Sequence, residues 1–253
     1  MYNKIKQTYE RKGGLMSHVD IAVTIAPAQQ LTDSMLSDLH QYQAAYDIIE
    51  LRIDQWESNP IALLERVIEQ LTSLQLEKRL LVTYRTKAQG GAGQLEGQDY
   101  LELLQQLSTF EAVDMIDVEF DKAADKNALI DVVQQLGETQ EVIVSYHDFN
   151  GTPTLDELKH LYYQMHKLSP DYLKVAVMPK DAQDVLNLLS AMELSQRTLP
   201  QHIVGIAMSQ LGLVTRTAQG VFGGSISYGC LDEPKAPGQI HVEKLKQYLT
   251  MYR

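Results

Sequence analysis

Eight short runs rich in β-branched and aliphatic residues recur along the chain, at 21–25, 48–53, 80–84, 115–120, 142–146, 172–177, 203–208 and 225–228. Longer stretches with apolar residues at helical spacing separate them, which is the pattern of repeated βα units feeding a parallel sheet. Eight such strands close a barrel. A chain of 253 residues with 44% hydrophobic content suits one core of that size. The expected fold is therefore α/β, a single-domain (β/α)8 TIM barrel, with a doubly wound open sheet as the alternative.

Between the runs, Ile61, Leu64, Ile68 and Leu71 share one helical face, as do Leu129, Val132, Val133 and Leu136. Leu158, Leu161, Tyr162, Met165 and Leu168 form a third stripe, and Val242, Leu245, Tyr248, Leu249 and Tyr252 a fourth. Thr154 followed by Glu157 reads as a capping box, and Pro60 suits a first helical turn. Residues 1–17 are polar, carry no helix or strand period and are read as an N-terminal extension to a catalytic domain at 18–253. Glu10-Arg11-Lys12-Gly13-Gly14 resembles ribosome-binding sequence read in frame, which makes Met16 a candidate start.

Lys and Arg total 22 against 33 Asp and Glu, a net charge of −11 that disfavours nucleic acid and anionic membrane surfaces as partners. An anionic substrate then needs a local cationic cluster. The single cysteine, Cys230, has no disulfide partner within the chain and reads as a small packed residue. With no apolar run of membrane-spanning length and no signal-peptide core, the expected location is cytoplasmic.

Residues two apart on a strand share a face. If helices cover the outside of the sheet, the charged members of each strand must point to the barrel axis: Glu50 with Arg52 and Asp54, Thr83 with Arg85, Asp117 with Glu119, Ser145 with His147, and Lys174 with Ala176 and Met178. A single half-exposed edge strand would show the same alternation. Five strands that agree in face and in end point instead to a catalytic mouth at the carboxyl-terminal rim. Lys174 stands out because apolar neighbours Leu173, Val175 and Val177 raise the cost of an ammonium and favour a neutral, nucleophilic amine. His147 ends the preceding strand, where a general acid/base would sit. Taken singly, a strand lysine more often snorkels at an edge and a histidine is more often an ordinary core or surface residue. Histidine spacing gives no zinc pattern, so no metal is expected. The segment Gly90-Gly91-Ala92-Gly93 matches no phosphate-binding motif and reads as a flexible strand-to-helix loop, and Asn150-Gly151-Thr152 as a turn.

The ordered tracts Glu50-Leu51-Arg52-Ile53-Asp54, Thr83-Tyr84-Arg85-Thr86, Asp117-Val118-Glu119, Ser145-Tyr146-His147-Asp148-Phe149, Lys174-Val175-Ala176-Val177-Met178-Pro179, Thr215-Arg216, Val221-Phe222-Gly223 and Ala236-Pro237-Gly238-Gln239 resemble those of type I 3-dehydroquinate dehydratases. The resemblance implies a barrel that is usually dimeric, needs no metal or organic cofactor, and dehydrates 3-dehydroquinate to 3-dehydroshikimate in the shikimate route to chorismate and aromatic amino acids. It implies an imine with the substrate ketone at Lys174, with His147 as acid/base. It also implies that Arg216 receives the substrate carboxylate, that Glu50, Arg52 and Arg85 hold the ring hydroxyls and the region near the ketone, and that Gln239 adds a contact from a closing loop. Arg52, Arg85 and Arg216 are expected to favour the neutral amine of Lys174.

Two positions depart from the pattern. Where many relatives carry glutamate against the histidine, this chain has Gln89, so either Asp117 or Glu119 supplies the charge or the histidine titrates lower. Where relatives often carry serine, it has Lys235. Thr24 stays outside the assigned set. The competing functions are a class I aldolase-like Schiff-base lyase, against which the Ser-Tyr-His-Asp-Phe and Ala-Pro-Gly-Gln tracts argue, and a catalytically silent barrel that binds a polyol carboxylate.

Overall fold

The computed structural model describes residues 18–56, 60–121 and 125–252; the extension at 1–17 and its Met16 lie outside them. Strands β1 (Asp20–Ile25), β2 (Ile48–Arg52), β3 (Arg79–Thr83), β4 (Met115–Glu119), β5 (Glu141–Asp148), β6 (Tyr172–Val177), β7 (His202–Ala207) and β8 (Ile226–Gly229) form one parallel sheet in the order β7-β6-β5-β4-β3-β2-β1-β8. The ring closes where Ile203 bridges Gly224, with the Ser225 N–H donating to the Ile203 carbonyl at 2.8 Å just ahead of β8. Each strand leads into a helix: α1 (Asp33–Gln41), α2 (Pro60–Ser73), α3 (Gly97–Leu107), α4 (Lys126–Leu136), α5 (Leu155–His166), α6 (Ala182–Thr198), α7 (Leu213–Thr217) and α8 (Val242–Thr250). This is the (β/α)8 barrel, and the open-sheet alternative falls away.

The period-two alternation of the strands builds two cores. Ile21, Val23, Leu51, Val82, Val118, Val144, Leu173 and Val175 point outward and pack beneath the helices. Ala22, Ile48, Leu81, Met115, Ile143, Val204 and Ile226 point inward and fill the barrel as a separate apolar layer. Below that layer, Arg79 closes the amino-terminal end by pairing with Asp20 at 2.5 Å and Glu141 at 3.1 Å. Above it, the inward positions become polar, so the apolar layer forms the floor of the site.

The four helical stripes bury as expected except at one end. Tyr252 lies beyond α8 and is 43% exposed, because the helix stops at Thr250 and the period has no further turn to carry it inward. The Thr154–Glu157 capping box is formed in both directions, and Pro60 opens α2. The glycine segment is more ordered than a flexible loop. A short 3-10 turn over Lys87–Gln89, a bridge from Thr86 to Gly93, and the Gly91 N–H donating to the Thr86 carbonyl at 2.8 Å hold it against the end of β3.

Candidate active site

Register sets the lysine and the histidine together. On paired strands, Ser145 lies opposite Lys174 and His147 opposite Ala176, so His147 stands one inward position nearer the carboxyl-terminal rim than the lysine. All seven residues singled out from sequence, Lys174, His147, Glu50, Arg52, Arg85, Arg216 and Gln239, line one cavity of about 300 Å³ at that rim.

Lys174 is buried, yet its tip does not sit in apolar surroundings. Its Nζ lies 3.5 Å from Asp117 Oδ2, 3.7 Å from Glu50 Oε1 and 4.3 Å from the centroid of the Tyr228 ring. The flanking Leu173 and Val175 face the other side of the strand. Nor do the arginines supply the expected cationic collar. Arg52 is clamped by Asp54 through two hydrogen bonds of 2.6 and 2.8 Å, and Arg85 donates to Asp117 and Glu119 at 2.9 and 3.0 Å and to Ser145 at 2.9 Å. Burial opposes the Arg85 charge, but Asp117 and Glu119 outweigh it and hold the guanidinium above its ordinary value. Burial likewise opposes the Asp117 carboxylate, and Arg85, Lys174 and Ser145 together keep it below the ordinary 3.8.

His147 meets Gln89. The Gln89 amide nitrogen donates to the Phe120 carbonyl at 3.1 Å, which fixes the amide's orientation and leaves Oε1 as an acceptor. That oxygen receives the His147 backbone N–H at 2.9 Å and lies 3.3 Å from His147 Nδ1. An acceptor at this position selects the tautomer with hydrogen on Nδ1 and leaves the lone pair on Nε2. Burial first, then Arg85, Lys174 and Arg52, push the imidazole well below its ordinary 6.5, so it is neutral at physiological pH. Asp117 and Glu119, the expected sources of a compensating charge, are instead engaged by Arg85.

Arg216 is the site's unpaired cation. It is 1% exposed, its Nη1 and Nη2 donate to the Tyr228 and Pro237 carbonyls at 3.2 and 3.0 Å, and its buried Nε has no partner. Burial lowers it to about 10, so it remains charged at neutral pH. Among the described residues no carboxylate pairs with it, and a buried guanidinium without an anion is costly. A ligand carboxylate would remove that cost through the bidentate fork. Gln239 donates to Thr24 at 3.3 Å, and Thr24 donates in turn to Glu50 Oε2 at 2.7 Å, while Thr83 donates to Glu50 Oε1 at 3.0 Å.

Tyr228, Phe149 and Gln89 also line the cavity and were not among the assigned site residues. Tyr228 shares the inward parity of β8, a signal present in the sequence but weak in a four-residue strand. Phe149 sits in the loop after β5 and is 37% exposed.

The barrel and its rim pocket define a (β/α)8 enzyme whose chemistry gathers at the carboxyl ends of the strands. Residues 21–253 match the sequence model of the type I 3-dehydroquinase family. A 3-dehydroquinate dehydratase of Staphylococcus saprophyticus is 55% identical over 239 residues, covering 94% of this chain and 100% of that protein, and one of Staphylococcus carnosus is 53% identical over 237 residues, covering 94% and 98%. The crystal structure of a type I 3-dehydroquinate dehydratase from Clostridium difficile, solved with covalently modified comenic acid, superposes with a TM-score of 0.83 at 30% identity over 93% of this chain and 92% of that one. The chain belongs to the type I 3-dehydroquinase family.

Proposed function

We propose that the chain dehydrates 3-dehydroquinate to 3-dehydroshikimate through an imine on Lys174. The reading rests on one observation: a buried primary amine and a neutral histidine share a small cavity whose wall holds an unpaired guanidinium. Lys174 passes one ammonium proton to His147 Nε2 and its Nζ bonds to the ketone carbon; the ketone oxygen then leaves as water, carrying one proton from the nitrogen and the one His147 returns, to give an iminium. His147 Nε2 takes the proton from the adjacent carbon, and that electron pair flows into the iminium to form an enamine. The enamine pair then expels the hydroxyl on the next carbon, which departs as water with the proton His147 returns. Water cleaves the conjugated iminium and frees both the enone and the lysine.

Glu50 Oε1 and Asp117 Oδ2, 3.7 and 3.5 Å from Nζ, flank the nitrogen that becomes the iminium. Arg216 receives the substrate carboxylate, Arg52, Arg85 and Glu50 order the ring oxygens, and Gln239 contacts substrate from the loop after β8. Arg85 is held in place for this by Asp117, Glu119 and Ser145.

The aldolase-like and silent-binder readings find no separate support in this geometry. The charge of −11 and the lone cysteine support a cytoplasmic enzyme, and the family resemblance supports a homodimer. No helix among the described residues is long and apolar enough to cross a membrane. An absorbance assay for the conjugated product tests the activity: turnover by the parent and its loss in Lys174→Ala are expected, and full activity in that variant would refute the imine route.

A further inference from the structure

The charges around the cavity can be assigned almost completely. Arg52 is matched by Asp54, Arg85 by Asp117 and Glu119, and Lys174 by Glu50 and Asp117. Two cations remain with charge to offer, Arg216 at depth and Lys235 at the mouth. Lys235 pairs with Asp232 at 3.6 Å, and that carboxylate is 54% exposed, so solvent and salt weaken the contact. The Lys235 side chain is itself 26% exposed and lines the cavity.

Its backbone is not free to drift. The Lys235 and Ala236 N–H groups donate to Gln239 Oε1 at 2.7 and 3.2 Å, and Gln239 is tied through Thr24 to Glu50 on the pocket floor. Arg216 grips the same loop at the Pro237 carbonyl. The loop therefore presents a rooted lysine on the wall that already carries the unpaired guanidinium.

We propose that Lys235 is a substrate-contacting residue, a second cation that leaves Asp232 for the carboxylate received by Arg216. The proposal rests on the dehydratase reading, since it takes the substrate to be a carboxylate. The chain's net charge of −11 repels such an anion at long range, and a lysine at the mouth counters that field where it matters for entry. The loop residue acts on binding, not on the reacting carbons.

Steady-state kinetics with 3-dehydroquinate at low and at high ionic strength test this. In Lys235→Met, KM rises roughly fivefold at low salt, as expected for losing an exposed charge contact, while the loss falls on KM rather than on kcat. The difference from the parent shrinks at high salt. Lys235→Arg restores most of the affinity, and Asp232→Asn, which removes the competing carboxylate, lowers KM at low salt. Equal salt dependence in the parent and Lys235→Met, or a loss confined to kcat, would overturn the assignment while leaving the dehydratase reading in place. Absence of turnover by the parent at every salt concentration would remove both.

Discussion

At the scale of single residues, the site works by allotting charges to partners. On the Nδ1 side the histidine donates to the oxygen of a neutral amide, so no charge there stabilises an imidazolium, and burial holds the ring well below its ordinary 6.5. The acidic limb of the kcat/KM profile should therefore lie below pH 6.5. Gln89→Glu places a carboxylate against Nδ1 and should move that limb up by about one unit, because an opposite charge favours the protonated ring. Superimposable profiles for the parent and Gln89→Glu would contradict this. Arg216→Lys keeps the charge but loses the planar fork and should raise KM about tenfold or more, measured in the same assay. The strand parity around Lys174 and His147 was readable from sequence. The amide contact was not, because Gln89 and His147 are 58 residues apart and nothing local to either marks the pairing. Asp54 shares the inward parity of Arg52 and was placed on the same face, whereas its second contact, the Ala92 N–H donating at 2.9 Å from 38 residues away, has no local signal.

Elements position these residues through turns as much as strands. Gly91 sits where a Cβ would come within 2.0 Å of the Arg85 carbonyl oxygen, a backbone atom that cannot swing aside. Gly91→Ala should displace the turn that carries Gln89, lower stability by about 1–3 kcal/mol in denaturant unfolding and reduce kcat with it; parent-like stability and rate would show that the turn tolerates the shift. The eight strands fell within one or two residues of their sequence reading, since β-branched runs with period two leave little choice once helices cover one face. Two helices announced themselves less clearly. α6 buries residues on a broad arc, including Ser195, so its apolar stripe is blurred, and α7 is only five residues long. The order in the glycine loop was also hidden, because glycines mark a flexible loop and a tightly bonded turn alike, and the backbone bonds that decide between them leave no trace in residue type.

Across the whole molecule, the buried ionisable groups set how stability follows pH. Unfolded His147 takes a proton near 6.5 and the folded form resists it, so the unfolded state binds more protons and stability falls as pH drops below 6.5. Asp117 is depressed below 3.8, so its stabilisation is present above that pH and disappears as pH falls through its folded value. Thermal unfolding should therefore show Tm declining below pH 6.5 and more steeply below 3.8, and a Tm flat from 6.5 to 4 would argue against the buried neutral histidine. The covalent step can be read on the intact chain. Incubation with 3-dehydroquinate and borohydride, followed by whole-protein and peptide mass spectrometry, should show one reduced adduct per chain, located on Lys174. A protein that turns substrate over yet yields no adduct, or carries it on another lysine, would contradict the imine at Lys174.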